Sequence, residues 1–323
     1  MPIKVNLSAI KRNARKINSY SPFYAVVKAD AYGLGIKIAS VIEPICKGFC
    51  VANKDEACEL VALGIKKPVL ILGKTKHKLS YDNIVYTVSD RTDIDVLRTQ
   101  SLPNFAIKIN TGMNRYGSSP TKFFDTLNYA KTFGNVHSVY SHLCAVEDQN
   151  VTKMQIDIFN ATTSNCATKK HLLASKSVAL DSKNYSYSRC GIALYGGIDG
   201  FESCARITVP VAEIHELRKG QLCGYGTRRL KENSRIAILP IGYADGYRRL
   251  TNPRRVYANG KYFPIISVCM DACFALIDET ITKNDEIEIL GKHVTLNELA
   301  KSFGTITYEV LTGLGKRQKR VYL

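Results

Sequence analysis

Eight short apolar or β-branched runs recur along the first two thirds of the chain, most followed by a stretch patterned for a helix, and this alternation limits the fold more than any other feature. The runs are Phe23–Val27, Gly48–Ala52, Pro68–Leu72, Ile84–Val88, Phe105–Ile109, Val136–Ser141, His171–Ala174 and Ser186–Cys190. Helical candidates between them include Asp55–Leu63, Thr92–Thr99, Thr121–Thr132 and Val151–Thr163. Near-continuous apolar strands spaced by helices belong to parallel sheets covered on both faces. Eight such units predict an α/β chain closed into a TIM-like (β/α)8 barrel rather than an open sheet.

The pattern changes after about Val211. Strand-like runs now follow one another directly: Val211–Glu216, Arg235–Leu239, Arg255–Ala258, Phe274–Ile277, Glu286–Leu290 and Arg320–Leu323. Lys219-Gly220, Asn259-Gly260 and Gly291 supply turns, and one short helix is expected near Leu296–Phe303. Consecutive strands joined by turns predict a mostly antiparallel β-domain. The expected organisation is a barrel over 1–210 and a C-terminal β-domain over 211–323, with no internal repeat.

A net charge of +17 raises the question of a polyanionic partner. Lys and Arg are dispersed, however, and the densest cluster is a short KRQKR at 316–320 without interleaved aromatics, so no nucleic acid is expected. No apolar run approaches the roughly 18 residues of a membrane helix, so no membrane partner is expected. The opening MPIKVNLSAIKRNARKI lacks the apolar core of a secretion signal and reads as cytoplasmic. Ten cysteines are scattered without a CxxC pair, a pattern of reduced, mostly buried thiols with no metal site.

Barrel enzymes carry their chemistry at the C-terminal ends of the strands, so the polar residues just past each apolar run are the informative ones. Lys28 ends the first run inside AVVKADAYGLG. Apolar neighbours strip water from its amine and lower its pKa. A neutral amine is the form that attacks a carbonyl carbon. Position alone decides little, because most lysines are solvated. A lone Tyr243 reads better as a core tyrosine, and a lone His142 better still as a satisfied strand-end histidine. No GxxxxGKS/T loop occurs, which leaves nucleoside triphosphate chemistry without support.

FYAVVKADAYGLG (23–35) resembles the pyridoxal-phosphate attachment motif of the alanine racemase family, fold-type III pyridoxal-phosphate enzymes. KINTGMNRYG (108–117), SHLCAVED (141–148), SRCGIALYG (188–196), PIGYADGYRR (240–249), VCMDA (268–272) and YEV (308–310) follow in that family's order. The resemblance runs over essentially the whole chain. It implies pyridoxal 5′-phosphate as cofactor, a small amino-acid substrate, and interconversion of L- and D-alanine that supplies D-alanine for peptidoglycan. It also implies a homodimer with shared active sites. By this resemblance Lys28 holds the cofactor as a Schiff base and is one acid–base group, while Tyr243 from the partner subunit is the other. Racemisation asks for such a pair, one group removing the α-proton and another returning it on the opposite face. His142 and Arg189 match a relay to the tyrosine. Arg189 also matches the arginine that faces the pyridine nitrogen; it cannot readily give up a proton, so that nitrogen stays unprotonated and the electron sink is weak. Tyr32, Ser175, Gly191, Ile192 and Tyr308 match phosphate contacts. Arg115 matches the residue at the cofactor's phenolic oxygen and the substrate carboxylate, which the Met270 backbone N–H also approaches. Lys108 matches a lysine often carbamylated, an anion suited to holding Arg115.

Several positions depart from the family's pattern. Asn110 stands where aspartate is commoner, Ala174 where asparagine precedes the phosphate serine, Ser267 where arginine precedes VCMD, and Cys190 where proline is usual. Three other readings remain at this point: a racemase preferring another small amino acid such as serine, a barrel-type pyridoxal decarboxylase, and a non-catalytic binding protein. A carboxylate in place of Arg189 would favour the decarboxylase.

Overall fold

Every one of the eight apolar runs forms a strand. The computed structural model describes residues 2–98, 102–180, 184–226, 229–249 and 251–323. The chain opens on β1 (Pro2–Val5) and α1 (Leu7–Tyr20). Asn6 Oδ1 caps α1 by accepting from Ala9 N at 2.9 Å, and Ile10, Asn13, Ala14 and Ile17 make its buried face, a 3–4 residue spacing. The barrel strands follow as β2 (Phe23–Val26), β3 (Gly48–Val51), β4 (Val69–Ile71), β5 (Ile84–Val88), β6 (Asn104–Lys108), β7 (Asn135–Tyr140), β8 (Lys170–His171) and β9 (Ser188–Cys190). Helices α2 (Ile38–Ile42), α3 (Lys54–Ala62), α4 (Arg91–Leu97), α5 (Phe123–Phe133) and α6 (Gln149–Thr162) lie between them. The expected helix 92–99 is thus α4, with Thr99 outside the described residues.

β2 through β5 are buried along their whole length, as strands covered on both faces must be. The parallel sheet runs β8-β7-β6-β5-β4-β3-β2-β9, and a parallel bridge between Ala174 and Arg189 joins its ends and closes the barrel. The seventh unit is reduced to a two-residue strand followed by a single 3-10 turn at Ser175–Ser177.

The second sheet holds β1, β10 (Ala205–Pro210), β11 (Glu213–Leu217), β12 (Ser234–Leu239), β13 (Arg254–Ala258), β14 (Lys261–Val268), β15 (Cys273–Ile277), β16 (Glu286–Leu290) and β17 (Lys319–Tyr322). Its order is β11-β12-β15-β14-β13-β16-β10-β1-β17, antiparallel except where β1 and β17 run parallel. Asn259 (φ 47°) and Gly260 (φ 80°) make the two-residue hairpin between β13 and β14, a turn that needs positive φ at both places. Helices α7 (Leu296–Phe303) and α8 (Thr307–Leu314) precede the last strand.

Where the sequence reading sets one boundary at residue 210, the compact units are discontinuous. One comprises Lys11–Ala31 and Ile36–Leu194; the other comprises Met1–Ile10, Tyr32–Gly35 and Tyr195–Leu323. The reason is β1, which pairs with β10 and β17 rather than with the barrel strands. All cysteines but Cys58, Cys144 and Cys269 are buried, and no helix among the described residues is long and apolar enough to cross a membrane.

Candidate active site

Lys28 leaves the barrel just past β2, half-buried at the strand tip. Burial and then the Arg115 guanidinium push its amine pKa down. The next residues do something the sequence does not announce. Ala29, Asp30, Ala31 and Tyr32 have φ of 54°, 53°, 51° and 59°, one left-handed helical turn built without glycine. Each such residue costs roughly 1–2 kcal/mol, so neighbours must hold the run in place.

Arg189 on β9 is buried among acceptors. Its Nη1 donates to His171 Nδ1 at 2.7 Å and to the His171 carbonyl at 3.1 Å. Its Nη2 donates to the Ser141 carbonyl at 2.5 Å and reaches His142 Nδ1 at 3.3 Å. An arginine can only donate, which fixes both imidazoles as the tautomer with hydrogen on Nε2. His171 Nε2 then donates to Ser138 Oγ at 3.0 Å. Burial first, and Arg189 second, hold both rings neutral: His142 is pushed down to about 3, and His171 falls well below the usual imidazole range. The remaining guanidinium nitrogen, Nε, has no protein acceptor among the described residues. His171, the last residue of β8, is a member of the site that motif matching passed over.

Tyr140, the last residue of β7, packs this network from below. Its ring stacks on His171 with centroids 4.9 Å apart, lies 4.9 Å from the Arg189 guanidinium carbon, and its hydroxyl meets Thr87 Oγ1 at 2.6 Å. Lys108, beside it at the tip of β6, is buried with its Nζ 5.9 Å from the Tyr140 ring and 5.5 Å from the Tyr116 ring. Burial, followed by the charges of Arg115, Arg189 and Lys28, pushes its amine down to about 8. Arg115 is exposed on the loop after β6. That loop is organised by Asn110, whose Oδ1 accepts from Gly112 N and Asn114 N, each at 3.1 Å. An asparagine therefore supplies the acceptor that the commoner aspartate would supply.

Ser175, after β8, is buried, and its Oγ accepts from Gly191 N at 3.0 Å and Ala193 N at 3.3 Å. Ile192 lies buried between those two amides. Tyr32 and Tyr308 belong to the sheet unit, where their ring centroids are 6.1 Å apart and Tyr195 lies 5.0 Å from Tyr32. Nothing in the structure explains Ala174 at its position; Cys190 is a buried thiol pushed up to about 12 by desolvation.

Tyr243 and Met270 stand together on the sheet unit, both exposed. Tyr243 N donates to the Cys269 carbonyl and Ala244 N to the Met270 carbonyl, each at 3.0 Å. A Cβ on Gly242 would meet the Met270 carbonyl oxygen at 2.2 Å, so only glycine lets the two segments approach this closely. Ser267 abuts Gly224, whose added Cβ would lie 2.0 Å from Ser267 Oγ; the 221–226 loop thus crowds the place where a longer side chain would extend.

The geometry thus brings Lys28, Lys108, Arg115, His142 and Arg189 to one end of the barrel, with Ser175, Gly191 and Ile192 on the neighbouring strand tips. A closed parallel barrel with a desolvated lysine, a cationic rim and a hydroxyl–amide nest at that end defines the class: a barrel enzyme for small anionic substrates. Comparison with known proteins names the family. The model of the alanine racemase N-terminal domain matches residues 5–199, and that of the alanine racemase C-terminal domain matches 204–322. An alanine racemase from Rickettsia canadensis is 34% identical over 351 residues, covering 99% of this chain and 98% of its own length. The crystal structure of alanine racemase from E. faecalis superposes with a TM-score of 0.91 at 26% identity, covering all of this chain and 98% of the other. Alanine racemase from Bartonella henselae, solved with covalently bound pyridoxal phosphate, gives a TM-score of 0.88 at 26% identity over 100% of this chain and 99% of that one. This chain belongs to the alanine racemase family, and its reaction is the interconversion of L- and D-alanine.

Proposed function

We propose that this chain performs that reaction with pyridoxal 5′-phosphate held on Lys28, as a cytoplasmic homodimer in which the partner subunit's Tyr243 is the second acid–base group. The cationic end of the barrel carries the reading. Lys28 and Lys108 are each pushed down by burial and then by neighbouring positive charge, and none of Lys28, Lys108, Arg115 and Arg189 has a carboxylate at ion-pair distance among the described residues. Unpaired cations gathered in a partly buried space call for anionic ligands. A phosphate, a phenolate oxygen and an amino-acid carboxylate match that demand. The donors fit as well: Arg189 Nε is unspent among the described residues, and the Ser175 hydroxyl and Ile192 amide suit a phosphate, while Gly191, Tyr32 and Tyr308 are phosphate contacts by the family resemblance.

When bound, the cofactor spreads the negative charge left on the substrate's α-carbon into its ring. The chain's own groups do the rest. Arg115 and the partner subunit's Met270 N–H receive the substrate carboxylate. Arg189 would face the cofactor's ring nitrogen as a donor that cannot readily give up its proton, which would limit the charge the ring accepts and with it side reactions. Lys28 Nζ takes or returns the proton on one face and the partner's Tyr243 Oη on the other. Because Arg189 donates to His142 Nδ1, His142 Nε2–H is free to donate to the tyrosine oxygen and favour its deprotonated form. Lys108, with a pKa near 8, offers a neutral amine to CO2, and the carbamate so formed would hold Arg115. Exposure of both Tyr243 and Met270 suits residues that reach into another chain. D-alanine formed this way feeds peptidoglycan precursors.

Borohydride reduction followed by peptide mapping tests the assignment. The pyridoxyl label is expected on Lys28; a label on another lysine would remove the basis for the reading.

A further inference from the structure

The β2–β3 ladder ends where Val27 N donates to the Cys50 carbonyl at 3.0 Å. Two amides just beyond it, Ala29 N and Ala52 N, are left without a ladder acceptor. One carboxylate takes both: Glu56 Oε1 accepts from Ala29 N at 2.8 Å, and Oε2 accepts from Ala52 N at 2.7 Å. Glu56 is the third residue of α3, whose cap Asn53 accepts from Glu56 N at 3.0 Å. In the usual capping box this glutamate returns to the cap residue's own amide. Here it reaches one residue further back and across to the tip of the neighbouring strand.

Ala29 is also where the left-handed turn begins. Alanine prefers the right-handed helix, so an Ala-Asp-Ala-Tyr run would not hold this shape unaided. Asp30 Oδ1 accepts from Ile36 N at 2.7 Å and closes the far side of the turn; Glu56 fixes its start, directly next to Lys28. We infer that Glu56 is a positioning residue for Lys28: its carboxylate locks the left-handed turn to the tip of β3 and so sets the direction in which the Lys28 amine leaves the barrel. The Glu56 charge also acts on that amine, together with Cys50 opposing the downward push of burial and Arg115. The inference rests on the reading that Lys28 carries the cofactor.

The test uses the cofactor-loaded enzyme with Glu56→Gln. The glutamine oxygen can accept from one amide, while its NH2 faces the other donor. Hydrogen exchange in peptides spanning Lys28–Tyr32 should speed about ten- to a hundredfold. kcat should fall about tenfold or more with KM within about twofold, because binding contacts remain while the amine is misdirected. Adding Ala29→Gly should return at least about fivefold of the lost kcat, since glycine enters positive φ without strain. A glutamate serving only to stabilise α3 would lower the unfolding midpoint and gain nothing from the glycine. Wild-type kcat and exchange in Glu56→Gln, or no recovery with Ala29→Gly, overturns the inference. If Glu56→Gln does not fold, Glu56→Asp is read the same way, since its shorter side chain reaches only one of the two amides. Lysine mapping on the wild type separates the two claims. A label away from Lys28 removes the cofactor reading, whereas a label on Lys28 with an indifferent Glu56→Gln removes this inference alone.

Discussion

Acidification should unfold this protein earlier than its carboxylates alone would require, because the fold keeps His142 and His171 neutral. Both folded pKa values lie far below the unfolded value of about 6.5. The unfolded chain therefore binds protons that the folded chain refuses, so this stability is fully present above about pH 6.5 and is lost as the pH falls. Going from about pH 7 to about pH 5.5, each such histidine removes about 1.2 kcal/mol, and the pair about 2.5 kcal/mol. For a unit of the barrel's size that lowers the midpoint by about 5–10 °C. The perturbation that isolates the effect is His171→Gln, which keeps an acceptor for Arg189 but does not titrate. Urea unfolding at the two pH values should show the wild type losing about 1.2 kcal/mol more than the variant. Parallel losses in the two proteins, or a His171 ring resonance that titrates in this range, would refute the argument that burial and the Arg189 network hold the ring unprotonated.

Lys28→Ala and Tyr243→Phe should each be nearly inactive, and mixing them should restore activity approaching half that of wild type per heterodimer; subunit exchange by mass spectrometry without recovery means both bases lie in one chain. Arg189→Lys loses the Nε donor and cannot span both histidines, so racemisation should slow by about a hundredfold or more while pyruvate from transamination rises; unchanged product ratios would count against the role given to the guanidinium. Lys108 should take up carbon-13-labelled CO2 as a carbamate signal that strengthens as the pH rises through about 8, and the signal should vanish in Lys108→Met.

The barrel was legible because buried parallel strands read as short apolar runs, and their lower ends could be placed within a residue or two. The β-domain was less so. β14 carries Pro264, which argues against a strand, and the structure accommodates it one residue before an irregularity in the pairing with β15. β1 is four residues long and depends on partners two to three hundred positions away, so no local pattern marks it. At the site, Lys28, Lys108 and Arg189 sit at strand tips, but the motif residues were found through the family resemblance. Position alone decided little, and Arg115, Tyr243 and Tyr308 lie on a loop, a 3-10 turn and a helix. His171 was read only as part of a strand, since its role comes from an arginine on the adjacent strand. The left-handed turn after Lys28 was invisible for a physical reason: a run of Ala-Asp-Ala-Tyr without glycine gives little positive-φ signal, and the turn is tied down by Glu56 from outside the run and by the Asp30 carboxylate within it.

The most direct measurement is chiral chromatography of L-alanine incubated with the protein and pyridoxal 5′-phosphate. The account expects D-alanine to accumulate until the two enantiomers are equal, since they have equal free energies, and expects none with Lys28→Ala. Persistence of pure L-alanine with the loaded wild-type protein, or undiminished racemisation by Lys28→Ala, would contradict it.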